Sequence, residues 1–199
     1  PSNKPPPTAE EITAELEAAA FSLQTRGAVL TVPTRKIPLS EWDVLPPQAQ
    51  TVTPAWLRDL LSRYALHGLS LEYRDPVAEY LRIFSFLSPM EIKEMFVKGS
   101  LYEPLLATGL ATVGYESNGN LWLTKKSSIP DKEVFLFEHS DWGEGEPTTK
   151  SGLRFAAARF AFLIASMGVS EVSYYDSPAG STRLIWKPDR SGSSRKSTK

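Results

Sequence analysis

The chain has no cysteine, which removes disulfides, thiolate catalysis and cysteine-ligated zinc together. It has only two histidines, His67 and His139, so imidazole chemistry has few places to sit. No apolar run approaches the roughly 20 residues that a membrane-spanning helix needs. The opening stretch, "PSNKPPPTAEE", contains no apolar signal core either. Neither sign of charge dominates: 22 Lys and Arg against 23 Asp and Glu leave a net charge of -1. That balance argues against nucleic acid as the main partner. The GxSxG and HExxH patterns are missing too. What is there is globular: 199 residues, 41% of them apolar, suit one domain with appendages. Cytoplasmic is the default location, and neither a membrane nor a cofactor is expected.

Both ends read as unstructured. Residues 1–7 are stiffened by proline, which lacks the N–H that helices and ladders need. Residues 189–199, "DRSGSSRKSTK", are small, polar and basic, with too little apolar surface to offset ordering entropy. No aromatic is interleaved with those charges, so a solvated tail is expected rather than a nucleic-acid arm. A single domain over residues 8–188 remains. Thr8-Ala-Glu-Glu11 is a capping box, followed by Ile12, Leu16, Ala19, Ala20 and Leu23 on one helical face. Gly27 is the expected stop, and Ala28 to Val32 reads as a short strand. Four prolines make Pro33 to Pro47 a surface loop, pinned by Trp42. Thr53-Pro54 opens a second helix with a Trp56, Leu57, Leu60, Leu61, Tyr64 stripe that Gly68 closes.

"LSLEYR" and "YLRIFSFL", joined by Asp75-Pro76, read as neighbouring antiparallel strands. Ser88-Pro89-Met90-Glu91 is a second capping box with proline at the first helical position, and its helix runs through Phe96 to Gly99. "LYEPLLATG" adds a helical turn. "LATVGYE" and "NLWLTK" flank Asn118-Gly119, a strong hairpin signal because both residues tolerate positive φ. The uninterrupted run Val134 to Phe137 suggests a central strand covered on both faces. "GLRFAAARFAFLIASMG" reads as one long closing helix, and "EVSYYD" with "TRLIWKP" as an added hairpin. The expected class is α+β, a mostly antiparallel sheet flanked by helices.

The chemistry concentrates in "VFLFEHSDWGEGEPTTKSG", where an apolar strand turns abruptly acidic. Asp141, Glu144 and Glu146 are oxygen ligands for a hard cation, yet "DWGEGEP" keeps only part of an EF-hand rhythm. A solvated connection is the plain reading. Beyond it stands a protein-binding surface, with Trp142 as an aromatic anchor among carboxylates. A metal-assisted hydrolase built on Glu138, His139, Asp141 and Glu144 is a further alternative. Against it, adjacent strand residues such as Glu138 and His139 point to opposite faces. His67 is expected at a helix end, where a protonated ring complements the dipole. Trp56, Trp122 and Trp186 read as core or sheet-face residues.

The order of elements resembles the SUKH superfamily, which joins a fungal cell-wall regulator to many bacterial immunity proteins. "VTPAWLRDLLSRY" is similar to the family's proline-opened helix, "GLATVGYESNGNLWLT" to its glycine-rich hairpin, and "EVFLFEHSDW" to the strand that follows. "LRFAAARFAFLIASMG" looks like its closing helix, so the likeness spans Val52 to Gly168. "LHGLSL" stands where the family has an Asn-Gly-Gly turn, and the first helix and terminal hairpin lie outside its core. The resemblance implies a non-enzymatic module that occludes a protein partner, such as a basic nuclease-type toxin, or a scaffold as in the fungal members. The partner-binding residues it implies are Asp141, Trp142, Glu144 and Glu146, with Tyr115, Glu116 and Asn118 on the nearby hairpin.

Overall fold

Among the described residues, seven strands, each antiparallel to its neighbours, make one sheet in the order β6-β5-β4-β3-β2-β1-β7. The computed structural model describes residues 5–74, 81–100, 102–116, 118–138 and 153–170. The strands are β1 (Leu71–Arg74), β2 (Leu81–Phe86), β3 (Leu110–Glu116), β4 (Leu121–Lys125), β5 (Val134–Phe137), β6 (Leu153–Ala157) and β7 (Gly168–Val169). The helices are α1 (Ala9–Val29), α2 (Pro47–Val52), α3 (Ala55–Arg63), α4 (Pro89–Met95) and α5 (Phe160–Ala165). Single 3-10 segments cover Leu39–Val44 and Glu103–Thr108. The class is α+β. The Asp75-Pro76 link and the hairpin expected after residue 170 lie outside the described residues.

Local signals set most helix starts. Thr8 and Glu11 close the first capping box, with Thr8 N donating to Glu11 Oε2 at 2.7 Å. Ser88 and Glu91 close the second. Trp42 is buried within its proline-rich loop, as expected. Three boundaries differ from the sequence reading. α1 runs on through Gly27 to Val29, so no strand forms at 28–32. Gly27 is there for closeness instead, since a Cβ on it would collide with the buried Leu69 side chain. Thr53 finishes α2 rather than starting α3, its hydroxyl donating to Ala49 O at 2.7 Å. Finally, α3 ends at Arg63, and Gly68 with φ of +96° belongs to the link toward β1.

The largest correction is at the C-terminal side. The expected long helix splits into strand β6 and the six-residue α5. Alanine-rich sequence favours a helix locally, but β5 is buried at Val134, Leu136 and Phe137 and needs a second partner for its backbone. Residues 153–157 supply it, with Phe135 opposite Phe155 and Leu136 opposite Arg154. β5 is therefore an inner strand, one place in from the edge.

The sheet is strongly curled. Tyr73 on β1 and Trp122 on β4 meet edge to face with ring centroids 5.5 Å apart. Three flat interstrand spacings would separate their backbones by about 14 Å. Gly114 makes room for this convergence. It lies between Phe86 and Trp122 in register, and its missing side chain lets the Phe84 ring pack 5.7 Å from Trp122. A link over residues 158–167 joins β6 and β7, the outermost strands among the described residues. With six helical residues it spans about 26 Å at full stretch, less than the roughly 29 Å width of a flat seven-stranded sheet. The edges therefore bend toward each other. α1 lies along α5, joined to it by the Arg159–Glu15 ion pair at 3.4 Å.

Candidate functional site

Arg82 alternates along β2 with Phe84 and Phe86, so it points into the curl with them. A guanidinium there must be paired, because an isolated buried charge is too costly. Its fork reaches two carboxylates: Nη1 donates to Glu116 Oε2 at 2.8 Å and Nη2 to Glu138 Oε1 at 2.6 Å. The Arg82 side chain is 2% exposed, Glu116 4% and Glu138 20%. Glu116 also accepts from Asn120 Nδ2 at 2.9 Å and from Trp122 Nε1 at 3.2 Å. On β6, Arg154 lies 3.5 Å from Glu138. The result is a polar row running from β2 to β6 across one end of the sheet.

That row is the base from which the acidic segment departs. Phe137 pairs with Leu153, so everything between them connects two adjacent antiparallel strands. Strand connections of this kind commonly need two to five residues. The register also places three connections at the same end. β1 leaves at Arg74 beside Leu81, β3 leaves at Glu116 beside Phe84, and β5 leaves at Phe137 beside Leu121. The sequence at this end is acidic: Asp75 and Glu79 follow β1, and Asp141, Glu144 and Glu146 follow β5, against one lysine, Lys150.

Of the residues expected to contact a partner, Asp141, Trp142, Glu144 and Glu146 lie outside the described residues, as does His139. Asn118 is exposed in the β3–β4 turn, where its Oδ1 accepts from Asn120 N at 3.2 Å. Tyr115 is half-buried. Glu116 is turned inward, with its carboxylate taken up by Arg82, Asn120 and Trp122. Glu138, considered above as a metal ligand, is bound to Arg82 and Arg154. Among the described residues, no three His, Asp or Glu side chains group as metal ligands, and no helix is long and apolar enough to cross a membrane.

His67 is not at a helix end. It sits four residues past α3, where its backbone pairs with Arg35, and its Nε2 lies 3.0 Å from Glu91 Oε2. Glu91 caps α4, accepting from Ser88 N at 2.7 Å and from Ser88 Oγ at 2.6 Å through the same oxygen. Partial burial pushes the Glu91 carboxyl up, but the bonds from His67 and from Ser88 outweigh it and hold it down to about 2. His67 and Glu91 stand at the rim of a cavity of about 310 Å³ with Gly68, Ser70, Ser85, Phe86 and Tyr115.

The sequence reading missed Arg82. The signal was available: an arginine in phase with Phe84 and Phe86 on an apolar strand face demands a carboxylate partner. No family model, curated protein or solved structure matches the chain.

Proposed function

We propose that this chain is a non-enzymatic protein-binding module of the immunity kind, acting in the cytoplasm by occluding a basic, nuclease-type toxin. What supports the reading is the connection from β5 to β6. It is far longer than its strands require, it carries Asp141, Trp142, Glu144 and Glu146, and it leaves from a base held by Arg82 and Arg154. Long connections on a rigid scaffold are where binding residues concentrate. Carboxylates there complement a cationic cleft and speed encounter with it, while an aromatic anchor supplies affinity once contact is made. The neighbouring β1–β2 connection adds two more acids at the same end. The resemblance to the SUKH superfamily points in the same direction.

The test is capture from the native host with the tagged full chain, followed by titration of the captured protein. A toxin-like partner whose binding weakens with salt is expected, with Trp142→Ala costing about thirtyfold in affinity, as a 2 kcal/mol anchor would. Glu144→Lys should slow association most at low salt. Unchanged affinity in both variants would remove the loop from the interface. Capture of only housekeeping or envelope proteins would favour a scaffold.

A further inference from the structure

The cavity beside His67 is lined by none of the residues of β5 and β6, the strands that flank the acidic segment. Its lining comes from four places. His67, Gly68 and Ser70 lead into β1, Ser85 and Phe86 end β2, Tyr115 is on β3, and Glu91 is on α4. At about 310 Å³ it is at the small end of ligand pockets.

Its polar groups are unevenly committed. Glu91 makes its three bonds through Oε2, to Ser88 N, Ser88 Oγ and His67 Nε2. Oε1 has no hydrogen-bond partner among the described residues, and the side chain is 42% exposed. The hydroxyls of Ser70 and Ser85 have no protein partner there either. The cavity thus offers one ionised carboxylate oxygen and two hydroxyls that can accept, beside Tyr115, which pairs with Ser85 and shares its face of the sheet. That is the complement of a protonated amine: a charge-assisted bond to the carboxylate, hydroxyl acceptors for the remaining N–H groups, and aromatic surface for the carbon stem. An anion would meet Glu91. A neutral polyol would leave the charge unmatched.

We propose that this cavity binds a small organic cation, with an alkylammonium group against Glu91 Oε1 and the Ser70 and Ser85 hydroxyls. The ammonium comes either from a free amine or from a lysine side chain of another protein. Failure of this site would leave the toxin-occlusion reading untouched, because the two share no residue except Tyr115 at their margin.

The experiment is amide-resolved NMR titration of the full chain with four probes: n-butylammonium, N-acetyl-lysine methylamide, acetate and glucose. At about 10 mM, a ligand with a millimolar Kd is roughly nine-tenths bound. Both amines should shift the amides of Gly68, Ser70, Ser85 and Phe86, while acetate and glucose should not. Tighter binding of the blocked lysine assigns the site to a partner's side chain; tighter binding of butylammonium assigns it to a free amine. Glu91→Gln, which can still cap α4, should weaken either amine at least about tenfold. Ser85→Ala should weaken it severalfold without altering the fold. No shift with either amine would overturn the proposal, and so would equal shifts with glucose or undiminished binding to Glu91→Gln.

Discussion

Replacing Arg82 with methionine keeps most of the side chain's volume and removes its charge. Two carboxylates then face a space with no guanidinium between them, and Glu116 is 4% exposed, so water cannot take over. Breaking a buried pair from one side costs about 3–5 kcal/mol, because the remaining charge is uncompensated. At a urea m-value of about 2 kcal/mol/M, the unfolding midpoint should fall by about 1.5–2.5 M. Lysine tests the geometry separately. The fork sends Nη1 to Glu116 at 2.8 Å and Nη2 to Glu138 at 2.6 Å, whereas a single ammonium has no such preformed fork. Arg82→Lys should therefore fall between wild type and Arg82→Met. The double variant Arg82→Met/Glu116→Leu should be more stable than the sum of the single losses predicts, since it removes the stranded charge. It should not recover fully, because Trp122 Nε1–H and Asn120 lose their acceptor at a cost of about 1–3 kcal/mol. Urea unfolding followed by fluorescence and far-UV circular dichroism measures wild type, the single variants Arg82→Met, Arg82→Lys and Glu116→Leu, and the double variant. An Arg82→Met loss below about 1 kcal/mol, or strict additivity in the double variant, would refute the claim that this row is a coupled buried network.

Glu91 should show itself in acid. Its folded carboxyl sits near 2 against an ordinary 4.5, so its contribution is complete above 4.5 and is lost as the pH falls toward 2. Wild-type melting temperature should drop more steeply over that window than that of Glu91→Gln, and parallel curves would contradict the His67–Ser88–Glu91 arrangement. Ser88→Ala should cost about 1 kcal/mol at neutral pH by removing the cap hydroxyl. Gly114→Ala should destabilise more than Gly27→Ala in thermal unfolding. A Cβ at Gly114 meets the Ser85 carbonyl as well as the Phe84 ring, whereas at Gly27 it meets only the Leu69 side chain. The reverse order would mean that the β2–β3 backbone yields more readily than the helix packing.

Elements announced by short-range chemistry were legible in the sequence. Both capping boxes, the Asn118-Gly119 hairpin and the β1–β2 pair stand where their residues place them, because cap and turn signals act within a few positions. Misreadings came where distant chain decided the outcome. Gly27 resembles a helix stop until Leu69 packs against it. Residues 153–157 have the alanine content of a helix and become a strand because β5 offers them a ladder. That error bears on the site, since a helix there would have left the acidic segment as a strand-to-helix link. As a connection between paired strands, both its ends are fixed. Glu116 illustrates the same limit: nothing near it in sequence says that Arg82 draws it inward.

The short α5 link between β6 and β7 carries a consequence for how the protein is made. During synthesis, α1 emerges well before α5 and β7, elements it packs beside in the finished fold. Strands β1 to β5 can pair as they appear, because each neighbours the one before it in the sheet, but the curl has nothing to hold its edges until residues 153–169 arrive. Until then α1 can meet residues 63–69, through the Arg63–Glu17 ion pair, the Ala65 N–H bond to Gln24 and Leu69 against Gly27, but not α5. Closure of this domain thus follows the synthesis of residues 153–169, and until then the face of α1 that meets α5 stays open to chaperones.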